Sequence, residues 1–460
     1  MASLSPGGFR GYRWKEFGLL IVPFIVFLLA AIQLFLANTA PASVNAKSLP
    51  TIDGLIPVLG LIGAWFAINV VMTIFFRKAD QVLLPLISLL SGLGVMMATR
   101  LGPDIGDATL GSKQLVWVLL GLIIFLGTMF LLRSIHWLER YKYTAAFFGI
   151  VLVCTSLVNT LHIKNFNSPT HDQLNLGPIN FQPSELLKIC IVIFFAAYLS
   201  ENREILAQGN LRLGPLRLPP LRHLGPMALM MMIALLFFLV VREQGLALLI
   251  YGIFLCMLYL GSGKLSYVVG SLVALVVLGF VSYKLFGYIQ QRFAVVNVDV
   301  TNWNSQSEAV YSEPGGAFQV VQGLIALCSG GIFGAGLGLG APAFVPVVQS
   351  DMVLSALGEE LGLVGLFAII GIYLLIVYRG YRIAIEAPDS FQQLLAAGLT
   401  SIFALQTLII SAGNLKFIPL TGIPLPFLSY GGSSIFANFI IIGILLRISY
   451  NTAIEREGTA

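Results

Sequence analysis

Residues 352–378 read MVLSALGEELGLVGLFAIIGIYLLIVY, and this stretch decides the fold. Its only charged residues are Glu359 and Glu360, and every position after them is apolar, glycine or tyrosine. The stretch is long enough to cross the roughly 30 Å hydrocarbon core of a bilayer as a helix. A helix that is apolar on all sides is typical of a membrane span. We therefore predict a transmembrane helix here.

The composition of the whole chain agrees with that interpretation. It is 57% hydrophobic and 10% charged, with a mean hydropathy of +0.90. Soluble domains carry about 25% charged residues, so this chain has too little polar surface for water. The net charge of +5 forms no basic patch on a soluble face, which argues against nucleic-acid binding. The four cysteines form no C-x-x-C pair and are interpreted as small buried hydrophobes.

Eleven further apolar runs resemble the first in length. We therefore predict an all-α, polytopic integral membrane protein of about twelve transmembrane helices. The predicted spans are 17–37, 54–76, 82–99, 114–132, 143–161, 184–200, 226–241, 245–261, 266–286, 352–378, 391–412 and 430–446.

The distribution of basic residues predicts the orientation. With the N-terminus inside and every span crossing, 17 of the 26 Lys and Arg residues fall inside and 8 outside, while Lys188 lies within a span. The apolar runs on either side of Arg242 could form one broken helix or two spans. Only two spans preserve the excess of Lys and Arg on the inside. Ala40-Pro41-Ala42 resembles a signal-peptide cleavage site. The apolar run before it is about 20 residues, longer than the apolar region of a typical signal peptide, which favours an uncleaved anchor. Both termini are expected inside, with 451–460 as an inner tail.

The connection 287–351, before the tenth helix, is expected to lie outside and is the longest in the chain. Structureless loops longer than about 15 residues are usually functional or disordered, so this segment is a functional candidate.

Ionisable residues inside spans are costly and therefore mark candidate sites. Glu185 and Lys188 open the sixth span three residues apart, a spacing at which they can pair on one helical face. They could also form only a structural ion pair at a helix start capped by Ser184. Glu243 lies beside Arg242 at an outer turn, where a local surface pair is the simpler interpretation.

Asp351 follows the long outer connection and precedes the tenth span. It could be a helix cap, since an acidic residue there gains about 0.3–1 kcal/mol from the helix dipole. Glu359 and Glu360, deeper in the same span, are difficult to explain by packing. These residues predict an outward-facing polar cavity, which suits either a transporter or an enzyme acting on a lipid-linked substrate.

Two glycine-rich stretches complete the pattern. Residues 329–340, SGGIFGAGLGLG, lack the spacing of a phosphate-binding loop, so close backbone approach or a flexible loop is expected. Residues 419–434, PLTGIPLPFLSYGGSS, contain three prolines and cannot form one continuous helix. Such backbone at a membrane must be buried in protein or line a wet cavity.

Four stretches together resemble the SEDS family (shape, elongation, division and sporulation), the FtsW/RodA/SpoVE group. Residues 181–188, FQPSELLK, are similar to the family's F-Q-P-S-E-x-x-K, and 351–362, DMVLSALGEELG, to D-F-I-F-A-x-x-G-E-E-L-G. Residues 419–434 match P-x-T-G-x-P-L-P-F-x-S-Y-G-G-S-S, and 329–340 resemble S-G-G-x-F-G-x-G-L-G. The resemblance runs from about Leu83 to the end. It implies a ten-helix membrane core over residues 81–450, with residues 1–80 as an extension of two helices.

The resemblance implies a peptidoglycan glycosyltransferase that polymerises lipid II at the outer face of the bacterial cytoplasmic membrane. Asp351 matches the family's essential aspartate, the proposed general base, which takes the proton of the acceptor's 4-hydroxyl. Lys188, Arg292 or a divalent cation (Mg²⁺ or Mn²⁺) would stabilise the leaving pyrophosphate. The expected protein partner is a class B penicillin-binding protein. The expected cavity residues are Glu185, Lys188, Glu243, Arg292, Gln182, Ser184, Glu359, Glu360, Ser429 and Tyr430.

Three positions depart from the family pattern. Glu243 stands in the place of an aspartate in Q-P-D-L-G-T-A, Val347–Ser350 replaces E-A-H-T, and 170–175 lacks the Arg and Trp of G-x-x-R-W-I. We therefore expect a divergent member. Two other functions stay open, a lipid II flippase and a non-catalytic scaffold of a cell-wall synthase.

Overall fold

The structure is a computed structural model, and it describes residues 12–39, 52–162, 174–176, 179–204, 211–213, 216–218, 225, 232, 243–300, 305–312 and 317–458. Fifteen α-helices lie within these ranges. In chain order they are α1 (Trp14–Thr39), α2 (Ile52–Phe75), α3 (Leu83–Leu101), α4 (Leu110–Leu131), α5 (His136–Arg140), α6 (Lys142–His162), α7 (Pro183–Glu201), α8 (Gln244–Ser262), α9 (Leu265–Leu285), α10 (Gly287–Asn297), α11 (Ser305–Ser312), α12 (Phe318–Ser329), α13 (Val353–Glu386), α14 (Ser390–Asn414) and α15 (Gly432–Gly458).

Four strands of three residues each form two isolated antiparallel hairpins. Strands β1 (Leu174–Leu176) and β2 (Ile179–Phe181) pair with Leu174 opposite Phe181, and β3 (Leu211–Leu213) pairs with β4 (Leu216–Leu218). Neither hairpin builds a layer of the fold, so the prediction of an all-α polytopic membrane protein is confirmed.

Ten of the described helices are long and apolar enough to cross a membrane: α1, α2, α3, α4, α7, α8, α9, α13, α14 and α15. They coincide with ten of the twelve predicted spans. The predicted span 143–161 coincides with α6, which counts as a shorter apolar helix over Lys142–Val158. The predicted span 226–241 lies outside the described residues. Helix α13 continues past the predicted end of its span, to Glu386.

Burial separates the central helices from those that face lipid. Helices α7, α14 and α15 are mostly buried, and they pack against one another and against α4, α6, α8 and α13. Helix α9 is almost entirely exposed, as expected for a span whose solvent is hydrocarbon.

The first two helices pack tightly against the rest of the chain. Trp65 of α2 is completely buried. Arg13 is also completely buried, and it donates to the Glu16 carboxylate and to backbone carbonyls of the loop 76–80. Asn69 of α2 donates to Glu16 at 2.7 Å. Because a buried guanidinium is costly unless its donors are satisfied, this network fixes α1 and α2 to the loop before α3.

The ion pairs show which ends of the helices share a face. Asp80, at the start of α3, pairs with Arg379 near the end of α13, and Arg456 pairs with the carboxylate of Glu386. Asp351 lies at the other end of α13. The described ends of the chain therefore lie on the same face, and Asp351 lies on the opposite one.

The long connection before α13 is folded where it is described. Helices α10, α11 and α12 form a small layer, here called the cap (the described residues 287–300, 305–312 and 317–329). It has an apolar core of its own, made by Val295, Val298, Ala317, Val320 and Val321. Helix α12 also packs against α13. The cap therefore lies beside Asp351.

Candidate active site

Asp351 lies two residues before α13, and Met352 occupies the cap position of that helix without a side-chain cap bond. The interpretation of Asp351 as a helix cap therefore has no support. The half-buried carboxylate accepts at Oδ1 from two side chains, Gln319 Nε2 at 3.2 Å and Ser350 Oγ at 3.2 Å. Two polar donors thus hold one oxygen of a carboxylate just before a helix long and apolar enough to span a membrane.

The surroundings shift the pKa of Asp351 upward. Burial is the largest cause, and it raises the pKa of this carboxyl from 3.8 to about 6. The bonds from its own backbone amide, from Ser350 and from Gln319, together with the positive charge of Arg292, act in the opposite direction but are weaker. A carboxyl with this pKa is mostly ionised at pH 7 and still accepts a proton readily, which suits a general base.

The proline-rich stretch 419–434, here called the hub segment, holds the backbone of the two residues before Asp351. Tyr430 N–H donates to the Gln349 carbonyl at 2.8 Å, and the Ser429 hydroxyl donates to the Ser350 carbonyl. Ser429 Oγ also accepts from Leu425 N at 2.7 Å. Ser429 and Tyr430 therefore lie beside Asp351, where these bonds hold the backbone that leads to it.

Asn414, the last residue of α14, fixes the backbone at Asp351 through a hydrogen bond to its carbonyl. This completely buried side chain donates from Nδ2 to the carbonyls of Asp351 at 2.9 Å and Ile410 at 3.1 Å, and its Oδ1 accepts from Ser355 at 3.1 Å. A fully satisfied buried amide of this kind fixes one local geometry. Asn414 thus joins the end of α14 to the start of α13.

Arg292 reaches the same region from the cap. Its guanidinium donates to the Leu420 carbonyl of the hub segment at 3.2 Å, and its charge acts on Asp351. Lys416, which lies between α14 and the hub segment, also contacts the cap, because its ammonium donates to the Val298 carbonyl. The prediction placed Arg292 at the site from charge and location, and the structure brings it there.

Glu185 and Lys188 form the predicted pair, with Nζ and Oε2 2.7 Å apart and both side chains buried. Lys188 Nζ also donates to Gln406 Oε1 of α14 at 3.0 Å, and Gln406 Nε2 donates to the Pro424 carbonyl of the hub segment at 2.6 Å. Lys188 is completely buried and its described bonds are internal. The pair therefore anchors the hub segment instead of facing a cavity beside Asp351.

Gln182 and Ser184 differ from their predicted roles. Helix α7 begins at Pro183, and the cap position is Gln182, so the prediction of Ser184 as N-cap is wrong. The reason is that Pro183 fits the first position of a helix, where no amide hydrogen is needed. Gln182 N–H donates to Ser433 Oγ of the hub segment at 3.0 Å. Ser184 is buried, and its hydroxyl makes no hydrogen bond with a described residue.

Glu243 occupies the cap position of α8, beside the hub segment. The neighbouring Gly245 lies so close to Thr421 that a Cβ at Gly245 would stand 2.3 Å from the Thr421 carbonyl oxygen. Only glycine permits this approach. Glu243, predicted to replace the family aspartate, therefore lies two residues from a close contact with the hub segment, while Arg242 is outside the described residues.

Glu359 and Glu360 belong to a second cluster, away from the hydrogen bonds that surround Asp351. Glu360 Oε1 pairs with Arg100 Nε at 2.9 Å, and Glu359 Oε1 accepts from Ala341 N at 2.8 Å. Arg100 also donates to the Gly340 carbonyl at 2.8 Å. These carboxylates hold the glycine-rich stretch, so the structure does not bring them together with the predicted base.

The glycine-rich stretch packs against a break in α13 at Gly362. Gly362 has φ 67° and ψ −173°, a conformation that is essentially restricted to glycine. A Cβ there would lie 2.3 Å from the Gly334 nitrogen. The amides of Leu363 and Val364 donate to the carbonyls of 331–332. Of the two sequence-based interpretations, close backbone approach is the one observed.

A metal site made by protein ligands alone is not seen in the described part of the chain, where no group of three or more His, Cys, Asp or Glu side chains could hold an ion. Mg²⁺ usually keeps several waters and takes one or two carboxylates together with substrate phosphates. The residues around Asp351 therefore do not form an all-protein cage for a divalent cation.

Sequence reasoning missed three amides that organise the site: Gln319, Gln406 and Asn414. Gln406 and Asn414 lie within or at the end of a predicted span, and a polar side chain in an apolar run is a usable signal. Gln319 lies in the outer connection, where polar residues are ordinary, so the sequence gives no signal for it.

Comparisons with known proteins identify relatives in sequence and in fold. A family model described as cell cycle protein, FTSW_RODA_SPOVE, matches residues 72–454. The peptidoglycan glycosyltransferase RodA of Mycobacterium tuberculosis (strain ATCC 25618 / H37Rv) is 36% identical over 384 residues, covering 82% of this chain and 79% of the relative. The probable peptidoglycan glycosyltransferase FtsW of Trichlorobacter lovleyi is 30% identical over 391 residues, covering 81% and 94%.

Two solved structures share the fold. A chain from a study of how a peptidoglycan synthase complex coordinates polymerization and crosslinking aligns with a TM-score of 0.59 at 23% identity, covering 81% of this chain and 98% of that one. The rod shape determining protein RodA of Thermus thermophilus aligns with a TM-score of 0.53 at 21% identity, covering 81% and 96%.

Proposed function

This chain belongs to the FtsW/RodA/SpoVE family of cell cycle proteins, and from that membership we propose that it is a peptidoglycan glycosyltransferase with Asp351 as its general base. One observation carries the proposal for the site. It is the half-buried Asp351 carboxylate, held by Gln319 and Ser350 where the cap meets the hub segment.

The reaction requires one proton acceptor and one stabilised leaving group. The ionised Asp351 carboxylate takes the proton of the acceptor sugar's 4-hydroxyl as that oxygen attacks the anomeric carbon of the donor. The bond from this carbon to the pyrophosphate breaks, and its electron pair leaves with the lipid pyrophosphate. Attack opposite the leaving group inverts the anomeric centre and forms a β-1,4 bond. A well-placed base of this kind contributes typically 10²–10⁴-fold.

Arg292 is the better candidate of the two predicted cations for the leaving group. Its charge acts on Asp351, and its described bond to the Leu420 carbonyl uses one nitrogen of a guanidinium that carries five donors. Lys188 is committed to Glu185 and Gln406. We therefore assign Lys188 and Glu185 to the support of the hub segment. Mg²⁺ or Mn²⁺ would have to arrive with the pyrophosphate, because the protein ligands at the site do not form a cage.

The substrate and the location follow from the same proposal. Lipid II, a disaccharide-peptide on undecaprenyl pyrophosphate, is the proposed substrate, and the bacterial cytoplasmic membrane is the proposed location. The excess of Lys and Arg that the sequence predicts on the face opposite Asp351 supports an inside position for that face by the positive-inside rule. Asp351 would then act at the outer face, with both termini cytoplasmic. A class B penicillin-binding protein is the proposed partner, since glycan polymerisation must be followed by crosslinking.

A lipid II flippase and a non-catalytic scaffold are less favoured. The charged pair of α7, Glu185 and Lys188, is buried and internally bonded, which does not suit a transport path. A scaffold would leave the Asp351 carboxylate, held by Gln319 and Ser350, without a chemical role.

The test uses purified full-length protein in nanodiscs with fluorescent lipid II, with and without a class B penicillin-binding protein and divalent cation. Wild type should form glycan polymer, and Asp351→Asn should form none while keeping its thermal unfolding temperature. Transbilayer movement of lipid II in proteoliposomes without polymer would favour the flippase. Polymer formation by Asp351→Asn at the wild-type rate would refute the proposed base.

A further inference from the structure

Gln319 is the described side chain that connects the cap to the carboxylate of Asp351. It lies in the first turn of α12, half-buried, and its Nε2 donates to Asp351 Oδ1 at 3.2 Å and to the Pro346 carbonyl at 3.1 Å. We propose that Gln319 is a positioning residue of the reaction: its amide binds one oxygen of Asp351 and so fixes the direction in which the carboxylate accepts the proton. This inference rests on the proposed role of Asp351.

The amide is oriented by both of its contacts. An amide nitrogen carries two hydrogens, and here one is available for each acceptor. If the group were rotated so that Oε1 took the place of Nε2, an oxygen would face the Pro346 carbonyl and the Asp351 carboxylate, both of which are acceptors. The hydrogen-bond partners therefore fix the orientation of the amide. The Pro346 carbonyl keeps the second hydrogen directed at Asp351.

Both side-chain donors reach the same oxygen of Asp351. Ser350 Oγ and Gln319 Nε2 each bind Oδ1, so neither of these side chains engages Oδ2. With Oδ1 fixed, the plane of the carboxylate is fixed, and Oδ2 remains to take the acceptor's proton. A base misplaced by about 1 Å can cost about 10²-fold in rate, so fixing this plane matters for catalysis.

The helix that carries Gln319 is itself well supported. Its neighbours Val320 and Val321 are buried in the core of the cap, and Gln322 Nε2 donates to Tyr311 Oη at 3.2 Å. The cap in turn is bonded to the hub segment through Arg292. Gln319 therefore holds Asp351 from a rigid element, as a positioning residue must.

The proposal predicts which of two Gln319 variants shifts the pH dependence of activity further. An amide donor stabilises the ionised carboxylate, so Gln319→Leu should raise the pKa of Asp351 and move the acid limb of the activity profile upward by about one pH unit. Gln319→Glu keeps the shape of the side chain but places a second carboxylate beside the first. Because like charges disfavour ionisation, this variant should move the limb further. A purely structural role would give no such order.

The experiment measures lipid II polymerisation by the full-length protein in nanodiscs from about pH 5 to about pH 9, a range that brackets the proposed base. We expect kcat near pH 6 to fall about fivefold in Gln319→Leu, because a limb moved from about pH 6 to about pH 7 lowers the ionised fraction from about a half to about a tenth. KM should change less than about twofold, as for loss of an interaction that matters mainly in the transition state. The matched control is Gln393→Leu, because Gln393 Nε2 also donates to a backbone carbonyl, that of Ala387, at 3.1 Å but on the opposite face. Its profile should match wild type.

Three outcomes would overturn the inference. The first is a wild-type acid limb in both Gln319 variants, and the second is an equal loss of rate in both without movement of the limb. The third is a shift in Gln393→Leu as large as that in Gln319→Leu. Each differs from failure of the proposed function, which would appear as activity in Asp351→Asn. If Gln319→Leu does not fold, Gln319→Glu still tests the inference, because glutamate has the same size as glutamine.

Discussion

Removal of one partner of the buried Glu185–Lys188 pair should destabilise the protein strongly. In Lys188→Met the Glu185 carboxylate stays in the interior without its cation, since its side chain is only 4% exposed. Breaking a buried ion pair in this way costs about 3–5 kcal/mol, mainly because a charge is left uncompensated. Gln406 Oε1 loses its donor as well, which adds about 1–3 kcal/mol. We expect the single variant to lose about 4 kcal/mol or more of the free energy of unfolding.

The double variant Glu185→Leu, Lys188→Met should recover most of this loss. Replacement of a buried pair by apolar residues of similar size is often neutral or stabilising, so only the loss at Gln406 remains. The expected cost is then about 1–3 kcal/mol, so the double variant should be more stable than Lys188→Met by about 3 kcal/mol.

The assay is unfolding by SDS titration in mixed micelles, with thermal unfolding as a second readout. Lys113→Met serves as control, because Lys113 pairs with Asp107 at a similar distance of 2.8 Å while its side chain is 49% exposed. Its free energy of unfolding should stay at the wild-type value. If the double variant is as unstable as Lys188→Met, the buried charge is not the cause and the reasoning is refuted.

Three further predictions concern the site and the helix that follows it. Because the base must be ionised and burial raises the pKa of Asp351 to about 6, polymerisation should be half-maximal near pH 6 and fall to about a tenth of its plateau near pH 5. A flat profile between these values would contradict this. Gly362→Ala should cost more than about 2 kcal/mol in a thermal unfolding assay, because its backbone is restricted to glycine and a Cβ would meet Gly334. Gly371→Ala, in the same helix with nothing within 4 Å, should be neutral or stabilising, and equal costs would refute the argument. Asn414→Leu should lower kcat at least tenfold by freeing the Asp351 carbonyl. An unchanged kcat in the folded variant would show that this bond does not position the base.

The membrane architecture could be predicted from the sequence because a bilayer imposes one simple demand on each helix. Apolar length and the excess of basic residues on one face are visible in the chain without any knowledge of packing. The pairing of Glu185 with Lys188 could also be predicted, since it depends only on a spacing of three residues within a helix.

Contacts between distant parts of the chain could not be predicted in this way. Arg100 meets Glu360 across 260 residues, and Gln319 meets Asp351 across a connection that was expected only to be functional or disordered. These pairs depend on how the cap and the glycine-rich stretch pack, and no local pattern encodes that packing. For the same reason Glu359 and Glu360 were assigned to the cavity, although their described bonds hold the glycine-rich stretch.

The most direct test of the account is the rate of lipid II polymerisation by purified Asp351→Asn, compared with wild type at about pH 7, where the base is mostly ionised. Asparagine keeps the size of the side chain but cannot accept the proton. The account predicts a loss of at least about 10²-fold with an unchanged unfolding temperature. A folded Asp351→Asn protein that polymerises lipid II at the wild-type rate would contradict it.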